Sequence, residues 1–189
     1  MAIKYPNPSL NKPIKNDKQI KSHGMMFEHS LNVSNEYYRS RNIALIYKKP
    51  TPVQIVKVSY PKRSSAKIVE AYYQTPSTTD YNGIYKGKYI DYEAKETIKN
   101  YFSFKHIFPH QIEHLEKVQK LGGIAFVIIC FKSYNTVVLI DIITFSNLYR
   151  NGDRKSIPFE KAIEIGKVAE LNYSPPIDYL KAVDELYNI

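Results

Sequence analysis

Apolar positions along the chain change their period several times, and each change predicts an element. Phe27, Leu31 and Tyr38 recur at helical spacing with Glu28, Asn32 and Glu36 turned elsewhere, which predicts an amphipathic helix over residues 24–41. Residues 43–47 are a short apolar strand, interrupted by Lys48-Lys49-Pro50-Thr51-Pro52 because proline removes a backbone donor and restricts the residue before it. Residues 53–60 and 66–73 are extended and β-branched, and the basic turn Pro61-Lys62-Arg63-Ser64-Ser65 between them makes a hairpin. A second hairpin joins residues 81–85 to residues 88–95 around Lys86-Gly87.

Residues 97–109 show no sustained period and read as loop. Residues 110–121 return to helical spacing, with Ile112, Leu115 and Val118 inward and Gly122-Gly123 as the stop. Residues 124–131 are apolar throughout, the pattern of a central strand buried on both faces, and residues 136–140 pair beside it. Residues 142–149, 159–171 and 177–187 read as peripheral helices. The order of elements predicts an α/β fold built on one mixed sheet, without internal repeats.

Length and composition narrow this picture. A chain of 189 residues fits one domain, and 43% hydrophobic residues exclude a wholly disordered one. The single cysteine, Cys130, cannot form an intramolecular disulfide and reads as a small buried hydrophobe; the longest apolar run is far too short to cross a bilayer. With no signal-peptide pattern at the N-terminus, a cytoplasmic location is expected. The net charge of +9 is unevenly placed: residues 1–70 carry thirteen basic side chains against four acidic ones, whereas residues 71–189 carry fourteen of each. Such a concentrated field attracts a polyanion, with nucleic acid the leading partner. Residues 1–22, rich in Lys, Asn and Pro, read as a flexible basic arm ahead of a single domain over residues 23–189.

Candidate chemistry lies in the second hairpin. Alternate residues of a strand share a face, so Asp91, Glu93 and Lys95 project together, and a turn at Lys86-Gly87 returns Asp80 close to Glu93. Two carboxylates on adjacent strands suit Mg²⁺, which completes its shell with water and substrate phosphate. Metal activation of water and an ammonium at the developing charge are what phosphodiester cleavage requires, and Asp80, Glu93 and Lys95 provide for both.

The segments Lys48-Lys49-Pro50-Thr51-Pro52, Tyr60-Pro61-Lys62-Arg63, Ser77-Thr78-Thr79-Asp80-Tyr81-Asn82-Gly83, Asp91-Tyr92-Glu93-Ala94-Lys95-Glu96-Thr97, His110-Gln111-Ile112 and Arg154-Lys155-Ser156-Ile157-Pro158 resemble the RecU-type Holliday-junction resolvases, members of the PD-(D/E)xK nucleases. The resemblance implies a restriction-endonuclease-like core with a protruding hairpin stalk over about residues 50–75. It implies an endonuclease that nicks opposing strands of a four-way junction symmetrically during recombination and repair. Asp80 and Glu93 would bind Mg²⁺ or Mn²⁺ together with Thr78 and Gln111, and Lys95 would stabilise the transition state. It further implies a homodimer, with recombinase and branch-migration proteins as possible partners, and makes Lys48, Lys62 and Arg63 the first candidates for phosphate contacts.

Two other readings stay open at this level. One is a junction-binding protein whose main task is to modulate a recombinase. The other is a zinc peptidase, since His110, Glu113 and His114 spell H-x-x-E-H, although that reading leaves Asp80, Glu93, Lys95 and the basic N-terminal part unexplained. His114 on its own reads as a helix-surface or packing residue.

Overall fold

A computed structural model describes residues 19–59, 61, 66–73 and 78–189. The elements run α1 (Gln19–Ser40), β1 (Ala44–Lys48), β2 (Val53–Ser59), β3 (Lys67–Tyr73), β4 (Tyr81–Tyr85), β5 (Lys88–Thr97), β6 (Tyr101–Ser103), α2 (Pro109–Lys120), β7 (Ile124–Phe131) and β8 (Thr136–Asp141). They continue as α3 (Ile142–Asn151), β9 (Ser156–Pro158), α4 (Phe159–Ile165), β10 (Lys167–Val168), β11 (Glu170–Leu171), β12 (Ile177–Asp178) and α5 (Tyr179–Tyr187). Six strands form the central mixed sheet in the order β1-β4-β5-β7-β8-β10, antiparallel except for the β5/β7 pair. A parallel pair requires a crossover, and α2 is its helix.

Each face of the sheet buries its own core. On one side Ile90, Tyr92, Ile124, Phe126 and Ile128 pack with Phe27, Leu31 and Tyr38 of α1 and with Tyr179, Leu180 and Val183 of α5. On the other, Val127, Ile129 and Phe131 pack with Ile112 and Leu115 of α2 and Phe145 of α3. Tyr92 lies at the centre of the first core. Its ring stacks between Tyr81 and Phe126 at 4.9 Å from each, and its hydroxyl accepts from Asn35 Nδ2 at 3.1 Å and lies 3.2 Å from the Tyr179 hydroxyl. A buried tyrosine needs such partners, and meeting them fixes which face of β5 is inward.

Among the described residues the β2/β3 hairpin pairs with neither the main sheet nor any other strand, and its described side chains are exposed apart from partly covered Val58. Its register shifts between Ile55 and Val58, the mark of a β-bulge. The segment expected as a stalk thus contains a separate two-stranded ribbon; Lys62 and Arg63 fall outside the described residues. So do residues 1–18 of the expected arm, while α1 begins at Gln19, five residues ahead of the expected start.

Other expectations need correction. Residues 97–109 are not plain loop, since β6 pairs with β9 and a 3₁₀ turn spans Phe104–His106. The helix expected over residues 159–171 ends at Ile165. There Gly166 packs so closely that a Cβ would lie 2.4 Å from the Leu139 carbonyl oxygen, and Lys167–Val168 leave the helix to pair with β8. Residues 177 and 178 belong to a short strand with β11, so the last helix starts at Tyr179.

One glycine sets the approach of β1 to β4. Gly83 pairs with Ile46, and a Cβ there would lie 1.9 Å from the Leu45 carbonyl oxygen and 2.7 Å from the Ile46 Cα. Both obstacles are backbone, so the strand itself must move to admit a methyl group. Gly83→Ala is expected to destabilise the fold by about 3 kcal/mol, read as a lowered urea midpoint with unchanged slope.

Candidate active site

The site forms because β4 and β5 are unequal partners. Their pairing begins at Tyr81 with Tyr92, while β5 runs on to Thr97 alongside β7 alone. Beyond Tyr92 one edge of β5 is therefore open, and its first unpaired donor, the Ala94 N–H, is taken by Asp80 Oδ2 at 3.0 Å. Asp80 thus closes the end of the hairpin with its side chain and stands beside Glu93, as the turn at Lys86-Gly87 predicts. Both turn residues have positive φ, 46° and 75°, the conformation of a tight two-residue hairpin.

Glu93 is fully buried, and its Oε1 accepts from Gln111 Nε2 at 2.7 Å and forms an ion pair with Lys95 Nζ. Glu93 Oε2 is buried without a hydrogen-bond partner. Gln111 reaches the site because Pro109 opens α2, and Gln111 Oε1 caps the helix by accepting from the Phe108 N–H at 3.0 Å. It therefore meets Glu93 through its NH₂ group, and its amide would have to turn over to serve as an oxygen ligand. Thr78 is exposed, and its hydroxyl accepts from Lys49 Nζ at 3.2 Å, which ties it to Lys49 and not to Glu93. A shallow pocket lined by Phe27, Glu28, Asp80, Tyr81, Ala94, Lys95 and Glu96 opens on the bare edge of β5. Lys48 is ion-paired with Glu28 at its rim.

Asp80, Glu93, Lys95 and Gln111 are thus brought together, and Thr78 is held one step away. The donor set suits a hard divalent cation: two carboxylates, one carrying an unpartnered buried oxygen, beside an open pocket where water and phosphate would complete its shell. The H-x-x-E-H residues are used differently. His110 is exposed and stacks on Phe108, and the partly exposed His114 lies 2.9 Å from the buried Asp91 Oδ2, a polar partner that its reading as a surface or packing residue did not foresee. Among the described residues no group of three or more His, Cys, Asp or Glu is arranged to hold a metal ion, so a zinc centre of that type is not formed by them. Burial pushes the half-exposed Cys130 thiol up to about 11, which suits a packing residue. No helix among the described residues is long and apolar enough to cross a membrane.

Sequence reading missed Lys49, Thr79 and Tyr89, which converge with His114 on Asp91. Only the charge of Asp91 on the Glu93 face signalled that a partner was needed.

Known proteins resemble the chain over nearly its whole length. The family model described as RecU, Recombination protein U, matches residues 22–185. The Holliday junction resolvase RecU of Bacillus cereus (strain AH820) is 49% identical over 200 residues, covering 99% of this chain and 99% of its own. That of Geobacillus sp. (strain WCH70) is 48% identical over 198 residues, covering 99% and 98%. Among solved structures, Archaeoglobus fulgidus Hjc, a Holliday junction resolvase, aligns with a TM-score of 0.45 at 15% identity, over 76% of this chain and 93% of its own.

The electrostatics of Glu93 are testable. Burial, and then the neighbouring Asp80 charge, push its carboxyl from an ordinary 4.5 up to about 7, against the opposing pull of Lys95 and Gln111. Between these two values the folded state keeps a proton that the unfolded chain has released. Stability contributed at low pH is therefore lost as pH rises toward 7, by about 3 kcal/mol in all. In EDTA, the urea stability of the wild type minus that of Glu93→Gln should fall by roughly that amount between pH 5 and 8; a flat difference would refute the assignment.

Proposed function

Because the chain belongs to the RecU family, we propose that it is a Holliday-junction resolvase, a metal-dependent endonuclease that cuts opposing strands of four-way DNA junctions during recombination and repair in the cytoplasm. The observation that carries the chemistry is the convergence of Asp80, Glu93, Lys95 and Gln111 at an open strand edge.

In this reading Asp80 and Glu93 hold Mg²⁺, or Mn²⁺ in its place. The bound ion supplies Lewis acidity to the scissile phosphate and lowers the pKa of a water. Lys95, which lines the pocket and is paired with Glu93, would turn to the phosphate or to the attacking water and stabilise charge that grows in the transition state. Gln111 keeps the Glu93 carboxylate oriented, and Thr78 serves from the adjoining turn. Lys48 at the pocket rim, with Lys62 and Arg63 of the stalk, contacts phosphates of the junction arms.

Paired nicks call for two sites related by a two-fold axis, and this supports a homodimer. The β2/β3 ribbon also supports it. Ile55, Val56, Ile68, Val69 and Tyr72 are all exposed there, and an isolated two-stranded ribbon is marginal in water unless something packs on it.

Incubated with a synthetic four-way junction and Mg²⁺, the protein should give symmetric paired nicks. Lys95→Ala should bind the junction equally well but cut about 10²–10³-fold more slowly, measured by single-turnover kinetics. Intact junctions after incubation with wild-type protein in both Mg²⁺ and Mn²⁺ would sink the enzyme reading.

A further inference from the structure

Asp91 is a second fully buried carboxylate on β5, one pleat before Glu93 on the same face, and none of the proposed chemistry uses it. Four side chains from separate segments converge on it. Lys49 Nζ, just past β1, lies 2.8 Å from Asp91 Oδ2, and Tyr89 OH donates to the same oxygen at 2.9 Å. His114 Nε2 of α2 reaches that oxygen at 2.9 Å, and the Thr79 hydroxyl donates to Oδ1.

Lys49 holds more than the carboxylate. Its ammonium also donates to the hydroxyls of Thr78 and Thr79, and its backbone N–H donates to the Asp80 carbonyl at 2.8 Å. One residue thereby fixes three consecutive positions of the turn that carries Asp80. His114 stands one helical turn after Gln111, so its contact with Asp91 fixes the part of α2 that reaches Glu93. The same carboxylate thus ties together the strand of Glu93, the turn of Asp80 and the helix of Gln111.

We propose that Asp91, Lys49 and His114 form a positioning assembly that sets the divalent-cation affinity of the Asp80/Glu93 site, with Lys49 as the principal positioning residue for the residue 78–80 turn. This rests on the reading of Asp80 and Glu93 as cation ligands. Groups behind a metal's ligands act by orienting them, and their loss costs about 10–100-fold in affinity. An ion pair kept for stability alone would not discriminate in this way, because its loss lowers stability without selectively weakening the site.

The test is Mn²⁺ binding to the DNA-free protein, followed by calorimetry and by the electron-paramagnetic signal of free Mn²⁺. Lys49→Gln should weaken Mn²⁺ binding about 10–100-fold, keep junction affinity in EDTA, and regain much of its nicking rate at raised Mn²⁺. Asp91→Asn, which keeps the shape and removes the charge, should behave likewise; Lys49→Gln, on the partly open side of the cluster, carries the test if Asp91→Asn does not fold. Wild-type Mn²⁺ affinity in folded Lys49→Gln overturns the proposal, as does a loss confined to junction affinity in EDTA, which would make Lys49 a DNA contact. A Glu93→Gln protein that binds Mn²⁺ as tightly as the wild type overturns the cation-site reading itself, and this inference with it.

Discussion

Strand β5 is paired by β7 from Ile90 to its end at Thr97, but on its other edge only as far as Tyr92, and the geometry of the candidate site depends on that mismatch. A strand with both edges filled would have spent the Ala94 N–H on a neighbour. Here that donor goes to Asp80, so the carboxylate is fixed by backbone and not by a mobile side-chain pair. The alternation of β5 then does the rest. Ile90 and Tyr92 enter the core under α1 and α5, so Asp91 and Glu93 must face α2. A slip of one residue would exchange the two sets and bury the wrong side chains throughout. The stack of Tyr81, Tyr92 and Phe126, with the hydroxyl contacts at Asn35 and Tyr179, makes that slip costly.

Burying two carboxylates on one strand opposes stability, and the protein meets the two costs differently. Asp91 is surrounded by four polar partners, which is what a buried charge needs to be tolerated. Glu93 is left with one unpartnered oxygen and a carboxyl that holds its proton to about pH 7. The contrast separates a carboxylate used for structure from one kept available. An unpartnered buried oxygen is costly, and in the reading proposed above a bound cation would satisfy it.

How much of this could be read in the chain follows the range of the interactions. The period of two in β5, the apolar run of β7 and the turn at Lys86-Gly87 are local, and the sheet and the meeting of Asp80, Glu93 and Lys95 followed from them. The strands β6, β10 and β11 have two or three residues each, too few to show a period, and they exist because partners elsewhere supply the hydrogen bonds. The end of α4 is also a tertiary effect, set by the backbone of β8 against Gly166. Gln111 came from resemblance and not from pattern, and the convergence on Asp91 joins Lys49 to His114 across 65 sequence positions. No local signal spans such a gap.

The same reasoning sharpens the meaning of the uneven charge. The part of the chain with the basic surplus, residues 1–70, contains α1, β1, β2 and the start of β3, and the part without it contains the buried carboxylates. Lys48 and Lys49 stand at the boundary, adjacent in sequence but differently engaged: Lys48 is paired with Glu28 at the exposed rim, and Lys49 is turned inward onto Asp91. Screening weakens the first pair and hardly touches the second, since salt acts on exposed charges far more than on buried ones. In the proposed reading an incoming phosphate would compete with Glu28 for Lys48 while Lys49 keeps the Asp80 turn in place, so that backbone binding and alignment of the site would fall to neighbouring lysines with separate partners.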